Sequence, residues 1–214
     1  MRENMIYNPG VYQLREVALK RLLDIIEQRK HSQSKGIVFY GDSITEFCQL
    51  DHFYQSKKPL YNCGIAGATT DELLWMVDEA VIQYHPSKVF LMVGINDLGN
   101  TVMHSPRKIA QHMNMLAHMI TKNCPGAQLY IISTLPCVEE QQDYHHVLGI
   151  RCNEFVKMIY QCLKELVTSQ NTTIIDVYSL FVDGDRVKKD FYLDGLHLNE
   201  KGYEVLSQQL QCYL

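Results

Sequence analysis

The sequence has no excess of positive charge, no long apolar run and no paired-cysteine motif, and each absence removes a class of function. Twenty Lys and Arg stand against 24 Asp and Glu, a net charge of −4 over 214 residues. Nucleic acids and anionic membrane surfaces are held by basic patches, so composition gives no electrostatic support for either partner. The longest apolar run, Val89 to Val93, falls far short of the about 20 residues that cross a bilayer. The opening MRENMIYNPG lacks the apolar core of a signal peptide. Seven cysteines, an odd number scattered from Cys48 to Cys212, include no C-x-x-C pair. That argues against a zinc site or a disulfide framework. The simplest reading is reduced thiols in a soluble, cytoplasmic protein. Internal repeats, low-complexity linkers and a glycine-rich phosphate fingerprint are also missing.

What is present is ordinary globular composition, 46% hydrophobic and 21% charged, with enough length for one domain and a sizeable core. The expected organisation is a single domain over 1–214, with an N-terminal helical segment, 1–35, packed on it. Leu14, Ala18, Leu22 and Ile25 recur at helical spacing, which predicts a helix from Val11 to Arg29. Strands are expected at Ile37–Tyr40, Leu60–Cys63, Lys88–Gly94, Ala127–Leu135 and within Thr172–Phe181. Thr69 and Glu72 make a capping-box pattern before a helix that should end near His85-Pro86. Ser105-Pro106 starts another, with Ile109, Met113, Leu116 and Ile120 as its inner stripe. A polar loop, roughly Cys137 to Tyr144, precedes a long helix to about Val167, and Asn199 to Leu214 reads as a closing helix. Strands spaced by helices imply right-handed βαβ units and an α/β fold, a three-layer α/β/α sandwich around a parallel sheet of about five strands. Ligands then sit outside the carboxyl ends of the strands.

At that end lies FYGDSITEF, Phe39 to Phe47, where an apolar strand stops at Gly41 and delivers Asp42 and Ser43. A serine there is either a turn or cap residue or a nucleophile. Three other segments bear on the choice. NCGIAG spans Asn62 to Gly67, GIND contains Asn96, and DGLH contains Asp194 and His197. The four blocks, in this order, resemble the GDSL/SGNH hydrolase family over the chain from about residue 36 onward. Ile44 stands where the family name has leucine, an apolar filler position.

The resemblance implies a flavodoxin-like SGNH hydrolase fold and a serine esterase or acylhydrolase. Ser43 would be the nucleophile, His197 its base and Asp194 the group that holds the imidazole. The backbone N–H groups of Ser43 and Gly67 and the side-chain amide of Asn96 would donate to the oxyanion. Gly64 competes with Gly67 for the glycine position; Gly67 is preferred because it directly precedes the segment matched by Ala68-Thr69-Thr70. No metal or organic cofactor is required, and the partner is a small-molecule ester. The layout is similar to the branch holding the platelet-activating-factor acetylhydrolase subunits, which implies a short acyl group, acetyl above all, on a sugar or lipid alcohol. Lysophospholipase or thioesterase action on longer chains is the nearest alternative.

Bland readings stand beside these. Asp194 is also a turn aspartate, Asn96 a turn former, and the pair Asp194 and His197 a partial metal site with no third ligand in view. A flavodoxin-like phosphate or flavin module would use the first loop as a helix N-terminus but leave Asp194 and His197 unemployed. Asp42 and Asp97 read as structural, each pinning its own loop. His112 and His118 are six apart on one expected helix and so point to different faces. His145 and His146 end a polar loop. Met113, Met115 and Met119 read as core filler and helix surface, and Trp75 as packing. Oligomeric state is not legible.

Overall fold

A computed structural model describes residues 14–99, 103–142 and 151–214. Five parallel strands form the sheet: β1 (Ile37–Gly41), β2 (Leu60–Gly64), β3 (Lys88–Met92), β4 (Gln128–Ile132) and β5 (Thr172–Ile175), in the order β2-β1-β3-β4-β5. β1 and β3 are central and carry apolar side chains on both faces, as a sheet covered on both sides demands. Alternate residues sort into two cores. Val38, Tyr40, Val89, Leu91, Leu129 and Ile131 face one layer, built from α1 (Glu16–Lys30), α4 (Thr70–Ala80), α5 (Pro106–Asn123) and α6 (Asn153–Leu166). Ile37, Phe39, Phe90, Met92 and Ile175 face the other, where α2 (Ser43–Glu46), α3 (Leu50–Phe53) and α7 (Glu200–Leu210) pack. Phe39, Phe90 and Tyr130 occupy one register row on three neighbouring strands, and their rings stack at 4.7 and 4.9 Å between centroids.

The expected helix stripes hold. Ile109, Met113, Leu116 and Ile120 are fully buried, and both halves of the Thr69–Glu72 capping box form. Ser105 caps α5, with Pro106 in its first turn. His112 is buried and His118 exposed, on different faces of that helix. Met115 is exposed, Met119 is partly buried against the core, and Trp75 packs there too.

Several boundaries differ from expectation: β3 and β4 stop at Met92 and Ile132 rather than Gly94 and Leu135, α7 stops at Leu210 rather than Leu214, and two helix boundaries shift further. The first helix begins at Glu16, not Val11; of the expected start, residues 11–13 lie outside the described residues. Arg15 leaves helical geometry at φ −59° and ψ 144°, and its guanidinium donates to Glu72 and to the Ala66 carbonyl. The capping-box helix stops at Ala80 rather than at His85. A tight 3-10 turn over Ile82–Tyr84 follows, and His85 adopts a left-handed conformation before Pro86. The Tyr84 hydroxyl donates to the Ile25 carbonyl at 2.7 Å and ties that turn to α1. A small hairpin, β6 (Val182–Asp183) with β7 (Arg186–Val187), was not expected; its connection is Gly184-Asp185, with Gly184 at φ +56°.

All seven cysteines are free thiols. Burial pushes Cys48, Cys63 and Cys137 up to about 12, which keeps them protonated. Among the described residues no helix is long and apolar enough to cross a membrane.

Candidate active site

Ser43 is the first residue of α2, but it does not cap that helix. Asp42, extended at φ −94° and ψ −153°, is the N-cap, and its Oδ1 accepts from the Ile44 N–H at 3.0 Å. The Ser43 hydroxyl is therefore released from local duty. It lies 2.9 Å from His197 Nε2. His197 Nδ1 lies 2.7 Å from Asp194 Oδ2. An ionised carboxylate only accepts, so Nδ1 carries the proton and Nε2 presents its lone pair to the serine. Asp194 is itself fixed: Oδ1 accepts from the N–H groups of Leu196 at 3.0 Å and His197 at 2.8 Å. Burial pushes its pKa up, but the hydrogen bonds from His197 and the two backbone N–H groups outweigh that, and the net direction is below the usual carboxylate range.

The loop that carries this pair is closed at its base. Tyr192 bridges to Leu198, and the Leu193 N–H donates to the His197 carbonyl at 2.8 Å. Gly195 turns at φ +81°, and its carbonyl accepts from the Val138 N–H at 2.8 Å. The segment after β4 thus supports the His197 loop; residues 143–146, His145 and His146 included, lie outside the described residues.

Gly64 and Gly67 differ sharply. Gly64 is glycine because α2 crosses it: a Cβ there would meet the Glu46 N at 2.2 Å. Its N–H donates to Asn62 Oδ1 at 3.0 Å, so it is already committed. Gly67 sits at φ +71°, in the turn after β2, where a side chain would run into the Arg15 guanidinium. The Ile65 N–H donates to the Gly41 carbonyl at 2.9 Å, which ties this turn to the end of β1. Buried Asn96 lies after β3, and its Nδ2 donates to the Ala68 carbonyl at 3.2 Å. The five residues singled out from the sequence therefore converge on the carboxyl end of the sheet.

Asp97 does not simply pin its own loop. Its carboxylate accepts from the Thr70 N–H at 2.9 Å and hydroxyl at 2.5 Å, so it anchors the start of α4 to the Asn96 turn. His104 also reaches Asp97, at 3.1 Å. Among the described residues, Asp71, His104 and His112 are the group of three that could hold a metal ion, their ligand atoms lying within 4.8 Å of one another. They are engaged with each other and with Thr70 and Asp97.

Sequence reasoning missed the supporting groups. Asn62 Nδ2 faces the carbonyls of Thr45, Glu46 and Cys48 at 2.8, 3.1 and 2.9 Å, so one amide holds the end of α2. Arg21 donates to the Gly64 and Asn62 carbonyls, each at 2.9 Å. Arg151 donates to Asn96 Oδ1 at 3.1 Å. Only the place of Asn62 in the NCGIAG block gave any signal.

The family model for the GDSL-like Lipase/Acylhydrolase family matches residues 39–205. The platelet-activating factor acetylhydrolase IB subunit alpha1 of Bos taurus is 25% identical over 184 residues, 83% of this chain and 74% of its own. A solved structure of a candidate platelet activating factor from Streptococcus pneumonia superposes with a TM-score of 0.78 at 28% identity, covering 92% of this chain and 94% of that one. A GDSL-like lipase from Bacteroides thetaiotaomicron shares the fold, with a TM-score of 0.77 at 18% identity over 90% of this chain and 96% of that one. A family match over most of the chain, together with relatives of the same architecture along nearly its full length, places this chain in the GDSL-like lipase/acylhydrolase family, the SGNH hydrolases, a family of ester-cleaving enzymes.

Proposed function

We propose that the protein is a serine ester hydrolase that works through an acyl-enzyme on Ser43. The observation that carries this reading is the continuous relay from Ser43 Oγ to His197 Nε2 at 2.9 Å and from His197 Nδ1 to Asp194 at 2.7 Å. Ser43 Oγ attacks the ester carbonyl carbon while its proton passes to His197 Nε2. The carbonyl oxygen becomes an oxyanion, which accepts from the Ser43 and Gly67 N–H groups and from Asn96 Nδ2. On collapse the carbon–oxygen bond to the alcohol breaks, and the alcohol leaves with the proton from His197. Water then gives a proton to His197, attacks the acyl group and releases the acid and free Ser43. Each step uses the chain's own groups.

For the substrate, we propose a short acyl group, acetyl above all, on a lipid alcohol. The name of the Bos taurus relative, an acetylhydrolase, supports the acyl part. Exposed Phe47 and Leu193 support the alcohol part, because they flank His197, the group that protonates the leaving oxygen. The second reading, a sugar alcohol, is favoured by the polar run Glu139 to Gln142, whose Gln142 side chain donates to the Gly195 carbonyl of the same loop at 3.3 Å. An ester panel separates these readings. Wild type should cleave acetyl esters faster than long-chain acyl esters, and lipid-alcohol acetates faster than sugar acetates, with every activity absent in Ser43→Ala. A fast rate on long acyl esters with none on acetyl esters points instead to a lysophospholipase or thioesterase.

A further inference from the structure

A side-chain amide is a hazardous oxyanion donor. Its nitrogen and oxygen are nearly equal in size, and a half-turn about the terminal torsion would aim a carbonyl oxygen at the developing negative charge. Something must choose between the two orientations, and at Asn96, 2% exposed, water is not available to do so. Two contacts make the choice. Nδ2 donates to the Ala68 carbonyl at 3.2 Å, and Oδ1 accepts from Arg151 Nη2 at 3.1 Å. A guanidinium has donors only. Flipping the amide would set donor against donor at Arg151 and acceptor against acceptor at Ala68, replacing two attractive contacts with two repulsive ones.

We infer that Arg151 is a positioning residue for the oxyanion site, acting through Asn96 to hold the amide with its nitrogen toward the reacting carbonyl. The amide nitrogen has two hydrogens. Ala68 takes one, and the other remains for the oxyanion. The cation on Oδ1 also draws electron density toward the oxygen end of the amide and makes the N–H end a better donor. The fold holds Arg151 firmly in this position. Gln142 Oε1 accepts from its other terminal nitrogen at 3.4 Å, and the Cys137 thiol reaches its backbone carbonyl at 3.6 Å. Two residues on, Asn153 exchanges hydrogen bonds with the N–H and carbonyl of Cys137, each at 2.9 Å. The start of α6 is thereby fastened to the loop after β4, and the guanidinium is aimed from there at the end of β3.

This inference rests on the acyl-transfer reading, and a kinetic double-mutant cycle on p-nitrophenyl acetate separates the two. Arg151→Met should lower kcat on the order of 10- to 100-fold with KM little changed, the effect of a lost hydrogen bond to a charged group felt in the transition state. Asn96→Ala should lower kcat roughly 100- to 1000-fold. The double variant should match Asn96→Ala alone within about twofold, because a group that acts only through the amide has nothing left to act on. Arg151→Lys, which can still donate to Oδ1, should recover part of the loss. The inference is overturned if Arg151→Met costs the same factor with and without Asn96, or if it raises KM alone. A thermal melt accompanies each variant; if Arg151→Met does not fold, Arg151→Lys and Arg151→Gln complete the same cycle. Failure of the acyl-transfer reading has a different signature, full activity in Ser43→Ala.

Discussion

At the scale of single residues, the chemistry was readable where it is written locally. Asp194 and His197 are three apart, and the carboxylate does reach the ring, which spacing alone does not establish. The three other blocks already favour Ser43 as nucleophile over cap, and Asp42 occupies the cap position. Arg151 was invisible, because its partner Asn96 lies 55 positions away in the chain. Asp42 also carries a pH prediction. Desolvation pushes its carboxyl from 3.8 up to about 7, against the hydrogen bond from Ile44. A group whose folded value is raised binds more protons folded than unfolded, so its contribution to stability is full below pH about 4 and is lost as pH rises toward 7. Asp42→Asn keeps an acceptor for the Ile44 N–H and removes the titration. Its melting temperature should therefore gain on wild type steadily between pH 4 and 7. A constant difference across that range contradicts the assignment.

At the scale of elements, the five strands and the capped starts of α4, α5 and α7 follow from sequence because period and capping chemistry are local. Ser105 and Asn199 each accept from an N–H three residues on. The missed boundaries at Arg15 and Ala80 coincide with tertiary contacts, to Glu72 for one and between Tyr84 and α1 for the other. α2 is the element on which the site depends most, and with four residues it cannot be stable by itself. It is held from outside by Asn62 and by the Tyr203 hydroxyl, which donates to the Ile44 carbonyl at 2.8 Å. Asn62→Leu should cost about 1–3 kcal/mol in denaturant unfolding, the penalty for leaving part-buried carbonyls without a donor. It should also lower kcat, since the Ser43 helix is no longer tethered. Unchanged stability and rate would show that α2 keeps its place without the amide.

At the scale of the whole molecule, parallel strand order does the assembling. Every strand of the sheet ends on the same side, so the turns after β1, β2 and β3 place Ser43, Gly67 and Asn96 together, while the loop before α7 folds back to add His197. Ser43 and His197 are 154 positions apart, and nothing but the fold joins them. That convergence is the central claim, and covalent labelling tests it most directly. A fluorophosphonate probe reacts with a serine activated by a neighbouring base, and peptide mapping by mass spectrometry locates the adduct. The account predicts one adduct per chain, on the peptide containing Ser43, absent in Ser43→Ala and strongly slowed in His197→Ala. An adduct on another residue, or labelling of Ser43 at full speed without His197, contradicts it.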